Sequence, residues 1–164
     1  MFRPLTFLLA GCFFFAGLSV ALARPIVRLH LSGALLQQHD GRQVQKPIDG
    51  LVLKAGDLIR YSIVATNAGD SPALSLIPVG PIPKSTAYVP GSARGNDATL
   101  EFSLDGKTWS KKPMLSIQTA HGVVKKPADP VLYKAIRWIT KGALAAHKQL
   151  VFSYDVRVNG HLAR

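Results

Sequence analysis

"IRYSIVATNAGDSPA", Ile59 to Ala73, decides how the chain is read. Ile59, Tyr61, Ile63 and Ala65 fall on one parity and Arg60, Ser62 and Thr66 on the other, the period of a strand with one buried face. The run ends at Asn67, Gly69 and Asp70. Asparagine and aspartate side chains bond their own backbone and glycine accepts positive φ, so these residues favour a turn. An inner strand over Leu58 to Asn67, followed by a turn, is expected.

The same period recurs on both sides. Upstream, Val27, Leu29 and Leu31 alternate with Arg28, His30 and Ser32, predicting a first strand with one buried face. Asp40-Gly41 in "QQHDGRQ" suits a tight hairpin, and "KAGD" turns the chain after Leu51 to Leu53. Downstream, Ala73 to Ile77 is expected to run back until "PVGPIP", whose three prolines cannot donate to a ladder. "TAYVPGSA" carries Pro90-Gly91, a type II turn pair.

"TLEFSLDGKTWS" predicts a hairpin about Asp105-Gly106 with Phe102 and Leu104 on one face. Residues 111 to 130, with two lysine pairs, read as a long exposed excursion containing a short strand at Leu115 to Gln118. "YKAIRWIT" puts Ile136 and Trp138 on one face, and the last strand is the clearest: Leu150, Phe152, Tyr154, Val156 and Val158 alternate with polar residues and Val151. No window sustains a helical period. The expectation is an all-β, antiparallel two-sheet sandwich, with Tyr61, Ile63, Trp138, Phe152, Tyr154 and Val156 as mutual core neighbours.

Residues 1–23 read as an export signal: Arg3, an apolar run from Leu5 to Leu22, and Ala21-Leu22-Ala23 before Arg24. The folded part is then a single domain over 24–164, exported to the periplasm or the cell surface. Cys12 in "LAGC" offers a competing lipidation site, but "FFFAGLSVALA" after it is still apolar. An uncleaved anchor is the remaining reading, because the apolar stretch nearly reaches spanning length. Membrane attachment is expected only in those two cases. Cleavage after Ala23 would remove Cys12, the one cysteine, leaving packing rather than disulfides to hold the fold.

The chain carries 20 Lys plus Arg against 9 Asp plus Glu, and the excess is uneven. Residues 24–83 hold six basic and four acidic side chains, whereas 84–164 hold thirteen and five. Such a field attracts polyanions such as acidic glycans, anionic lipid or nucleic acid, although it also simply keeps a protein soluble. Lys111, Lys112, Lys125 and Lys126, in a loop free to vary, are the candidate contacts.

No catalytic constellation stands out. The five histidines, at 30, 39, 121, 147 and 161, form no close His-x-x-x-His pair, Glu101 is the one glutamate, and the nucleophile elbow G-x-S-x-G is missing. Asp40, Asp70 and Asp105 are explained by turns. No metal, cofactor or catalytic residue is expected.

Four stretches together resemble the conserved-repeat domain of unknown function that recurs in exported and surface proteins of bacteria and archaea. They are "LKAGDLIRYSIVATNAGDSPA", "GPIPKSTAYVPGSA", "FSLDGKTWS" and "AIRWITKGALAAHKQLVFSYDVRV", spanning about Leu51 to Val158. The resemblance implies an immunoglobulin-like sandwich and no enzymatic activity. Members often occur in tandem, whereas this chain shows a single copy and no internal repeat. The expected function is a non-catalytic structural or binding module of the cell envelope. Its partner would be an envelope protein or, alternatively, an anionic polymer or nucleic acid. A metal-dependent enzyme is the remaining alternative.

Overall fold

The computed structural model describes residues 23–95 and 97–160. The expected export signal and Cys12 lie outside the described residues, apart from Ala23 at the cleavage point. Ten strands follow one another: β1 (Val27–His39), β2 (Arg42–Pro47), β3 (Leu58–Asn67), β4 (Val79–Pro81), β5 (Thr86–Tyr88), β6 (Ala98–Ser103), β7 (Met114–Thr119), β8 (Gly122–Pro127), β9 (Ala135–Thr140) and β10 (Gln149–Val158). The one helical element among the described residues is a 3₁₀ turn at Pro130–Leu132. None of these elements is a helix long and apolar enough to cross a membrane.

Every strand pair is antiparallel. One sheet has the order β2-β1-β3-β10-β5, a second has β4-β9-β6, and β7 and β8 pair only with each other. The alternation in the opening stretch puts β3 at the centre of the larger sheet. Its inward residues lie opposite inward residues of β10: Ile63 against Phe152, Tyr61 against Tyr154 and Ile59 against Val156. From the smaller sheet, Ile136 and Trp138 of β9 join the same core. The Trp138 ring lies 5.5 Å from that of Phe152 and 5.9 Å from that of Tyr154. All six expected core residues therefore meet, with Tyr61 only partly buried. Among the described residues, Trp138 Nε1 is the one buried side-chain polar atom without a hydrogen-bond partner.

Tyr154 also ties the two sheets together. Its hydroxyl donates to the Pro81 carbonyl of β4. Gly80 makes room for its ring, since a Cβ there would lie 2.5 Å from Tyr154 Cε1. Burial away from water pushes the phenol above its ordinary pKa.

Asn67, where the opening strand breaks, is fully buried and satisfied on both sides of its amide. Oδ1 accepts from the backbone N–H of Ile26 at 3.2 Å and of Gly69 at 3.1 Å. Nδ2 donates to the Ser71 carbonyl at 2.7 Å and the Leu144 carbonyl at 3.1 Å. One side chain thus joins the entry to β1, its own turn and the approach to β10.

The structure differs from the sequence reading in three places. First, Leu29 and Leu31 do lie on the core side of β1, opposite Ala65 and Ile63, yet both are exposed because the smaller sheet does not extend over them. Second, Ala73 to Ile77 forms no strand: Ala73 makes a single bridge to Leu144, and Ser75 then turns with a φ of 54°. Third, residues 114–127 are a regular hairpin, in which the expected strand pairs with a second one, β8.

Candidate interaction surface

The four candidate lysines are all exposed. Lys111 and Lys112 sit in the segment entering β7; Lys125 and Lys126 sit on β8, opposite Ser116 and Leu115. Because successive strand residues point to opposite faces, Lys125 and Lys126 leave the hairpin in opposite directions. They share one element but not one face. Among the described residues the ion pairs involve Arg60, Arg137, His39 and His147, and none of them pairs a lysine with a carboxylate.

The other conspicuous polar residues support the scaffold. Arg60 of β3 grips Asp155 of β10 through two bonds, Nε to Oδ1 at 2.8 Å and Nη2 to Oδ2 at 2.9 Å. On the outer face of the smaller sheet, Arg137 donates to Glu101 Oε2 from Nε at 2.8 Å and lies 4.7 Å over the Trp109 ring. Asp105 organises the "SLDGKTW" turn by accepting from the backbone N–H of Lys107 and Thr108, both at 2.7 Å, and from the Ser103 hydroxyl at 2.9 Å. These donors hold its carboxyl well below the ordinary carboxylate range, the Thr108 and Lys107 amides first. The cross-strand partners Arg60–Asp155 and Arg137–Glu101 depend on register, which no local pattern displays.

The histidines are dispersed. His30 faces outward on β1, His39 lies beside Asp40 at 3.5 Å, His121 is in the β7–β8 turn and His147 is 3.2 Å from Asp70; His161 lies outside the described residues. Among the described residues no three His, Cys, Asp or Glu side chains are arranged to hold a metal. Ile82, Pro83, Lys84, Thr86, Tyr133 and Lys134 are among the residues that line an open groove of about 530 Å³. No family model, curated protein or solved structure matches the chain.

Proposed function

We propose that the chain is an exported, immunoglobulin-like β-sandwich that serves as a non-catalytic structural or binding module of the cell envelope, in the periplasm or at the cell surface. The observation that carries this reading is the division of labour among its polar side chains. Arg60, Asp155, Arg137, Glu101, Asp105 and Asn67 are engaged in joining strands and turns, while the exposed lysines remain uncompensated. The stretches that carry the family resemblance fall on β3 and its turn, the β4–β5 connection, the β6 hairpin and β9 to β10, which supports an immunoglobulin-like arrangement.

Uncompensated lysines favour a second reading, an anionic polymer or nucleic acid as ligand, with Lys111, Lys112, Lys125 and Lys126 as contacts. The test is binding of the purified protein to dextran sulfate and to duplex DNA across a salt series. Affinity should fall steeply with salt, and changing all four lysines to Gln should flatten the DNA slope by roughly 0.9 for each phosphate that is no longer neutralised. Salt-independent binding, or none at physiological ionic strength, would leave the lysines as a solubilising surface on a structural module.

A further inference from the structure

Along Val27 to Leu31, β1 is an apolar sheet edge that no described strand covers. Ile26 accepts from the backbone N–H of Ala68, so the even-numbered residues of β1 direct their backbone groups toward β3. Gly33 correspondingly accepts from Ile48 on the other side, where β2 begins to pair. By the same alternation, the N–H and C=O groups of Val27, Leu29 and Leu31 point away from β3, to a side where no described strand pairs with them. The Leu29 and Leu31 side chains, 56% and 43% exposed, lie on the core side of that same edge.

The other edges of the larger sheet, and the β4 edge of the smaller one, are protected by familiar means. β2 carries Lys46 and ends in Pro47, β4 has three residues ending in Pro81, and β5 has three residues followed by Pro90. Such short strands, charges and prolines discourage strand addition; between Val27 and Leu31 the inward side of β1 carries neither charge nor proline, Pro25 lying before the strand begins.

We propose that this edge takes a further strand, donated by a partner polypeptide in which apolar residues alternate with acidic ones. Backbone groups of Val27, Leu29 and Leu31 supply the ladder, and the partner's apolar residues extend the core over Leu29 and Leu31. Charge selects the acidic class. Arg24 precedes the edge and Arg28 stands on its outer face, while Asp155 on β10 is engaged with Arg60. A second copy of this chain would instead bring its own Arg24 and Arg28 alongside, together with a like net charge of +11. The surface is separate from the lysines of the β7–β8 hairpin.

The test uses the purified protein and a synthetic decapeptide alternating Val and Glu, compared with one alternating Val and Lys and with a Val/Glu peptide N-methylated along one edge. Binding is read by calorimetry and by amide exchange at Leu29 and Leu31. The Val/Glu peptide should bind at least about tenfold more tightly than the Val/Lys peptide and slow exchange at both amides by about tenfold, and N-methylation should abolish both effects. Arg28→Glu, at an exposed position, should shift preference toward the Val/Lys peptide. Changing Lys111, Lys112, Lys125 and Lys126 to Gln should leave binding unchanged, and loss of binding in that variant would overturn the proposal by locating the peptide at those lysines. Equal binding of both peptides, unprotected amides, or a homodimer that already protects them would overturn it as well.

Discussion

Asn67 does at the scale of one residue what a disulfide does in disulfide-linked folds: it fastens parts of the chain that are distant in sequence. Its donors and acceptors are all matched inside the protein, and Gly69 is packed so closely against the Arg24 carbonyl that no other side chain fits there. Asn67→Ala should therefore strand the Ile26 and Gly69 amides and cost at least about 2 kcal/mol in urea unfolding. Asp105 makes a more local device, and its pH dependence has a definite sign. Its folded pKa is depressed, so its contribution is complete above an unfolded pKa of about 4 and is lost as pH falls through the lower folded value. The Lys107 and Thr108 amides should stay protected in wild type at pH near 4 and exchange faster in Asp105→Ala, as NMR would show. The Asp105 turn was legible because Ser103, Asp105 and Thr108 are near neighbours in sequence. The role of Asn67 was only half legible: its turn is local, but Leu144 lies 77 residues away.

Among the elements, the β1–β2 hairpin could be read from its turn, for Asp40 and Gly41 both take positive φ, at 49° and 74°. Strand β8 could not. Val123 and Val124 adjoin Lys125 and Lys126 instead of alternating with them, because neither face of this hairpin is a core face for its full length. β1 teaches a different limit: alternation announces that a strand has two unlike faces but not whether a second layer covers the apolar one. The β7–β8 hairpin is anchored at its base, where the buried Ala128 donates its backbone N–H to the Pro113 carbonyl at 2.8 Å. Replacing Met114 to Pro127 with an Asn-Gly turn should consequently preserve the fold, changing stability by no more than about 1 to 2 kcal/mol, while removing Lys125 and Lys126. Circular dichroism and urea unfolding check the first part, and the polyanion salt series the second.

Across the whole molecule, stability depends on the two sheets meeting at Trp138. This ring is fully buried against Phe152 and Tyr154, and Gly95 lies so near that a Cβ there would be 2.8 Å from its Cδ1. Trp138→Ala should cost about 3 to 5 kcal/mol, the range for deleting a large buried aromatic, and should remove blue-shifted emission, leaving the partly exposed Trp109. The position of β10 has a further consequence, in time rather than space. It is the final described strand, yet it lies between β3 and β5 and supplies Phe152, Tyr154 and Val156 to the centre of the core. A nascent chain that has not yet released Val158 from the ribosome has a central strand with one bare side and a tryptophan with no floor. The core cannot close until β10 is available, so folding couples β3 to a strand about ninety residues further along the chain and is slowed by that separation.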